Sequence, residues 1–335
     1  MGCVWIAPAT VPGLAGRHRH FYCVCLAITV SIGTTWSLGA VGAGFATGLR
    51  CRVLKSLFIC CALLLSAPLF ADSVKQQYPW HRGLNYQRIV DRIPAPSGYG
   101  RIRVPNKSFS AWLRGLPVLP GRPKVRLYNG KLKGNQSAHH VVVSIDVGRR
   151  DLQQCADAVM RLRAEYLFAN ACRDNIVFKY TSGDVATWRA WQRGVRPRIR
   201  GNKVSWVRRA RSDGGYQNFR RYLDNIFTYA GSYSLSRELL KVRNPATVQI
   251  GDVFIHGGFP GHAVIVVDVA ENQKGRRIFL LAQSFMPAQQ IHVLRNPTSS
   301  LTPWYSAKQH GPLVTPEWLF HYRELKRFAR ISICP

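Results

Sequence analysis

Three side chains in this sequence have the types and settings to do acyl-transfer chemistry together: Cys155, His262 and Gln283. A thiol attacks a carbonyl as its thiolate, so it needs a lowered pKa or a base that takes its proton. The stretch "DLQQCADAVMRLRAEYLFANA" reads as a helix, with Asp151 as N-cap and Gln154 three residues on, as in a capping box. Cys155, Val159, Leu162 and Tyr166 recur at helical spacing on one face. On this reading Cys155 is the fourth helical residue, near the limit of the dipole's reach. His262 follows the glycine-rich "GGFPG" and opens the apolar run "HAVIVVDVA", so a strand there presents its ring at a sheet edge. Gln283 closes the next apolar run, "RIFLLAQ". If 262–270 and 278–285 pair around a turn at 271–275, the ends carrying His262 and Gln283 are neighbours. Pairing Asp268 with Phe279 sets His262 or Ala263 opposite Gln283 or Ser284. An imidazole base and an amide that fixes its orientation then complete a Cys-His-polar set. Such a Cys155 is expected to be the most readily alkylated thiol, and loss of His262 to slow its labelling.

Each residue also has a plainer reading. Cys155 can be a small buried residue on an apolar helix face, because free cysteines are usually buried and inert. His262 can be a strand-end histidine satisfied by a backbone carbonyl, and Gln283 a structural amide. His139, His140 and His256 could join Cys155 around a metal, but no ligand spacing supports this. The set implies no metal and no cofactor.

The surrounding elements must hold these residues in place. "FSAWLRGLPVL" reads as a short helix from Ser108, "KVRLYNGKLKG" as a hairpin around Asn129-Gly130, and "HHVVVSIDV" and "NIVFKYTSG" as strands. "GYQNFRRYLDNIFTYAG" is a helix closed by Gly231, "SLSRELLKV" one capped by Ser234 or Ser236, and 316–328 a short last helix. Helices come first and consecutive antiparallel strands follow, which is an α+β layout. The expected architecture is a cysteine-bearing helix and further helices on a curved, mainly antiparallel sheet, forming one domain at 109–330. Residues 72–108, dense in Pro, Gly and Arg, read as an arm.

The first 71 residues differ from the rest, with six of the nine cysteines and no acidic residue. Residues 21–49 are uncharged and long enough to span a bilayer, which takes roughly 20 residues. "RVLKSLFICCALLLSAPLFADS" has the basic start, short apolar core and small-residue end of a secretory signal at 51–71, leaving 1–50 as an upstream extension or membrane segment. Beyond 71 stand Cys155, Cys172 and Cys334, too few for a disulfide framework, though one pair could form and leave one thiol. The same part carries 42 basic against 16 acidic residues, a net +26. Such a field gathers anionic partners. For a periplasmic or secreted protein these are acidic envelope polymers or lipid head groups, because an exported protein rarely meets nucleic acid. Residues 21–49 or an uncleaved signal offer a further membrane contact, and the protein is membrane-anchored if these N-terminal segments are retained. Segment 193–211 holds eight Arg or Lys, among them Arg208, Arg209 and Arg211, with Trp206 and no acid. It reads as a polymer-binding stretch or as a solvated basic loop.

"QIGDVFIHGGFPGHAVIVVDV" resembles the paired strands of NlpC-type and CHAP-type cysteine peptidases, and "QQCADAVMRLR" is similar to their cysteine-bearing helix. The resemblance implies a papain-like or NlpC-like core, with Cys155 as nucleophile, His262 as base and Gln283 as third polar residue. It implies amide or peptide substrates such as peptidoglycan. In those families the cysteine stands right at the helix start, whereas an N-cap at Asp151 sets Cys155 several residues in. More broadly, residues from about 85 to 328 resemble a bacterial family of unknown function, number 4846. "LKGNQSAHHVVVSIDVGRRDLQQCADAVMRLRAEYLF", "GDVFIHGGFPGHAVIVVDVA" and "LLAQSFMPAQQIHVL" carry that resemblance. The expected function is an exported cell-envelope cysteine hydrolase. The alternative is a non-catalytic basic module that binds an anionic envelope polymer on the same fold.

Overall fold

Residues 262–270 are all buried, nine in succession, and this run decides the architecture. A strand buried on both faces needs a layer on each side. The computed structural model describes residues 77–81 and 86–330. The expected extension at 1–50, signal at 51–71 and span at 21–49 lie outside the described residues, as does Cys334. Among the described residues no helix is long and apolar enough to cross a membrane.

The fold is α+β around a 9-stranded sheet. Its strands are β1 (Tyr99–Arg101), β2 (His139–Val142), β3 (Leu240–Lys241), β4 (Val253–His256), β5 (His262–Asn272), β6 (Arg277–Gln283), β7 (His292–Leu294), β8 (Tyr305–Ser306) and β9 (Leu325–Arg327). Across the sheet they run β2-β7-β6-β5-β4-β9-β3. β1 pairs with β5 beyond the end of β4, and β8 pairs with β6 beyond the end of β7. Every one of these pairs is antiparallel. β5 and β6 do form the expected hairpin. Asn272 accepts the Lys274 and Arg276 backbone N–H groups at 3.0 Å, and Gly275 takes φ +71° in the turn. On the His262 side of a bulge the register is the expected one, with Ile265 opposite Ala282 and Val266 opposite Leu281; on the turn side it is one residue off, with Asp268 opposite Leu280 and Val269 opposite Phe279. A bulge between Val266 and Asp268 leaves Val267 without a partner.

That bulge sets which side chains face where. Before it, His262, Val264 and Val266 share one face and Ala263 and Ile265 the other. After it, Val269 lies on the first face and Asp268 on the second. The first face meets an aromatic layer: Phe254 lies 5.6 Å from Phe279, 5.8 Å from Tyr322 and 6.3 Å from Phe320, between ring centroids. The second face carries α1 (Phe109–Arg114) and α2 (Cys155–Ala169). There the buried Asp268 carboxylate accepts from Arg101 Nε and Arg114 Nε, each at 2.6 Å, clamping β1 and α1 onto β5. Beside them pack α3 (Trp188–Gln192), α4 (Tyr216–Tyr229) and α5 (Ser232–Glu238).

Several expected boundaries move. α2 begins at Cys155 and not after Asp151; Gln154 is its N-cap, and Asp157 Oδ2 accepts the Gln154 N–H at 3.0 Å. Gly231 opens α5 and does not close α4, and Ser234 Oγ accepts the Gly231 N–H at 3.0 Å. Residues 316–328 hold no α-helix. Phe320, Tyr322 and Leu325 are buried while Leu319, His321 and Arg323 are exposed, and the chain runs as the strand Leu319–His321, a 3-10 turn and β9. Asn129-Gly130 does make a turn, with Gly130 at φ +83°, but its pairing is a single bridge between Arg126 and Leu132. Where it is described, the arm at 72–108 is integral to the domain: Tyr78, Ile89 and Ile93 are buried and β1 joins the sheet.

Candidate active site

Cys155 is positioned by what precedes it. Asp151, which caps no helix, accepts the Ala288 backbone N–H at 2.6 Å and the Gln154 side-chain amide at 3.1 Å. Ser284 Oγ lies 2.9 Å from the Gln153 carbonyl and 2.8 Å from that of Gln289. These bonds hold the start of α2 where the β5–β6 ladder stops, at Ile265 and Ala282. The Ala263 backbone N–H reaches the Cys155 sulfur there. A helix N-terminus favours a thiolate, but Cys155 is only 6% exposed, and desolvation wins. Burial, and then the nearby Asp157 carboxylate, push the thiol up to about 11, against the N–H groups of Ala263, Ala156 and Cys155 itself. Cys155 is the free cysteine among the described residues; Cys172 is disulfide-bonded.

His262 and Gln283 meet directly, with His262 Nε2 2.9 Å from Gln283 Oε1. The proton positions follow from a residue further out. Gln283 Nε2 donates to Glu317 Oε2 at 2.8 Å, and Lys133 pairs with the other carboxylate oxygen. A carboxylate accepts only, so the Gln283 amide nitrogen must face Glu317 and its oxygen must face His262. That oxygen also accepts only, so His262 carries its proton on Nε2 and leaves Nδ1 bare. Nδ1 is buried and has no hydrogen-bond partner. His292 obeys the same logic: its Nδ1 donates to the Gln290 carbonyl at 2.9 Å, and its Nε2 stands 3.5 Å from the Gln283 amide. Burial pushes His262 down to about 4 and His292 down to about 3, so both rings are neutral at pH 7. Phe285, Trp318 and Phe320 surround His262, with centroids 4.9, 5.2 and 5.7 Å away.

The structure thus joins two of the three expected residues and brings the third alongside. His262 and Gln283 lie on the aromatic face of the sheet. α2 packs on the other face, and its thiol reaches the sheet one residue along, at Ala263. The thiol makes no hydrogen bond to His262 Nδ1. Glu317, Lys133 and His292 belong to the same polar cluster. His292 was open to detection, since the quoted "AQQIHVL" ends in a short alternating strand. Lys133 and Glu317 sit 184 residues apart, and no local pattern pairs them. His139 bonds the Pro123 carbonyl at 2.9 Å and His256 bonds Glu324 at 2.7 Å. Among the described residues no group of three or more His, Cys, Asp or Glu is placed to hold a metal ion.

A family model described as Domain of unknown function (4846) matches residues 89–327. No curated protein and no solved structure matches the chain.

Proposed function

We propose, for a chain that belongs to the domain of unknown function 4846 family, that it is a cysteine hydrolase of amide or peptide bonds. Cys155 is the nucleophile, His262 the base and Gln283 the group that fixes the ring. One observation carries this reading: the bare, buried Nδ1 of His262, held in that tautomer by Gln283 and Glu317. A buried acceptor without a donor costs about 1–3 kcal/mol, and a fold that spends two more side chains enforcing it has a use for the lone pair. A helix that begins on its cysteine and packs against antiparallel strands bearing a histidine and a polar residue also fits a papain-like or NlpC-like core.

In this mechanism the Cys155 proton passes to Nδ1 as the sulfur attacks the substrate carbonyl. The tetrahedral adduct collapses, the amine leaves with the proton from Nδ1, and water hydrolyses the thioester with the same ring as base. At rest the thiol meets Ala263 from the helix face and the ring lies on the aromatic face, so substrate binding must bring sulfur and Nδ1 together at the end of β5. The +26 of residues 72–335 would draw an anionic envelope polymer or peptide, and the signal at 51–71 would deliver the protein to the periplasm or medium. The test is incubation of the full chain with purified peptidoglycan and a mass-spectrometric count of new amino termini. Release by the wild type, lost in Cys155→Ala and in His262→Ala, is expected. No release, or equal release by Cys155→Ala, overturns the assignment.

A second reading rests on the thiol itself. At a pKa of about 11 and unbonded to the imidazole, Cys155 suits a non-catalytic basic module that binds the same polymer. Retention on peptidoglycan without release would favour it.

A further inference from the structure

Arg163 lies on α2 two turns beyond Cys155, so this inference does not rest on the proposed hydrolysis. It is 7% exposed. Unlike the buried arginine Arg161, which pairs with Asp146 and Glu165, it has no hydrogen bond or ion pair among the described residues. Its guanidinium carbon lies 4.9 Å from the Phe109 ring centroid, 5.2 Å from that of Phe328 and 5.9 Å from that of Tyr166. Aromatic faces attract the cation but leave the N–H edge of a guanidinium free. The side chain lines a cleft of about 500 Å³ at the surface, together with Ile250, Pro105 and Arg330. That volume falls in the range of small-molecule sites. The cleft's one acid, Asp252, is already held by Arg327, with bonds at 2.5 and 2.8 Å. The cleft therefore offers a cation without an acidic partner at its wall, a second cation in Arg330, and three aromatic rings around Arg163.

We propose that this cleft binds an organic carboxylate on an apolar body, with Arg163 as the recognition residue. The carboxylate takes the free N–H edge in a bidentate pair, the geometry a guanidinium favours. The apolar body rests on Phe109 and Phe328 and displaces water from their exposed edges. Benzoate represents a free small acid, and N-acetylphenylalanine a peptide C-terminus; the better binder identifies the source.

Titration calorimetry on the full chain should give millimolar or tighter binding of at least one of these two, and none for benzamide and N-acetylphenylalaninamide, which lack the charge. Arg163→Met keeps the apolar stem and should abolish binding. Its thermal midpoint, measured alongside, shows that the variant is folded. Arg163→Lys, which keeps the charge without the fork, should weaken binding about tenfold and serves if the methionine variant does not fold. Equal binding of acid and amide, binding of neither acid, or full binding by Arg163→Met or Arg163→Lys would each overturn the proposal.

Discussion

The thiol of Cys155 should alkylate slowly in the native protein, the reverse of what its place near a helix start suggests. Alkylation runs through the thiolate. With its pKa pushed up to about 11, roughly 0.03% of Cys155 is ionised at pH 7.5, against roughly 10% of an unperturbed thiol near 8.5. Ionisation alone slows the reaction about 300-fold, and an exposure of 6% slows it further. The assay follows carbamidomethylation of Cys155 by iodoacetamide with time, by mass spectrometry, in the native protein and in denaturant at pH 7.5. The native rate should be at least about 300-fold lower and should rise about tenfold per pH unit, as the thiolate fraction does. His262→Ala should leave it unchanged, since the resting thiol makes no hydrogen bond to Nδ1. A native rate within about tenfold of the denatured one would refute the burial argument and point to an ion pair already formed.

Other consequences follow from charge and burial. His262 titrates near 6.5 when unfolded and about 4 when folded, so the native state binds fewer protons in between. Its share of stability is complete above pH 6.5 and falls by about 3 kcal/mol as pH drops to 4; urea unfolding at pH 7 and 4.5 should show a smaller loss in His262→Phe. Asp268→Asn removes the charge that holds Arg101 and Arg114 and should cost about 3 kcal/mol, while Asp91→Asn at the exposed Arg88 pair should stay within about 0.5 kcal/mol, both read by chemical denaturation. In the hairpin of Val195–Arg200 and Lys203–Arg208, Arg198, Arg200 and Lys203 share one exposed face, while Arg196 turns in over Trp191 at 4.0 Å. Replacing those three exposed bases with serine should weaken retention on an acidic polymer and flatten its salt dependence; unchanged retention across a salt series would clear the hairpin of that role.

The core strands were legible because their signal is local. Two apolar runs, the first interrupted only by Asp268, separated by a polar turn fix β5 and β6, and that hairpin alone makes neighbours of His262 and Gln283. The start of α2 departs from the pattern because Asp151 is a good cap by type, yet its carboxylate is taken by the Ala288 N–H, 137 residues away. The expected register holds at the site end and is one residue off beyond Val267, because Val264, Ile265, Val266 and Val267 are interchangeable to a pattern and nothing marks which of them is left over. Glu317 and Lys133 carry no signal at all: each is an ordinary surface type, and only the fold pairs them with each other and Glu317 with Gln283.

The unpaired Val267 also changes what β5 can survive. His262 and Asp268 are six positions apart, an even number, so a regular strand would turn both to the same side. The extra residue sends the imidazole toward Glu317 and the carboxylate toward Arg114. Between these two positions length is therefore constrained more tightly than composition. Exchanging one branched aliphatic for another there should pass almost unnoticed, whereas deleting any single residue forces a choice between keeping the acid on its arginines and keeping the ring on its amide.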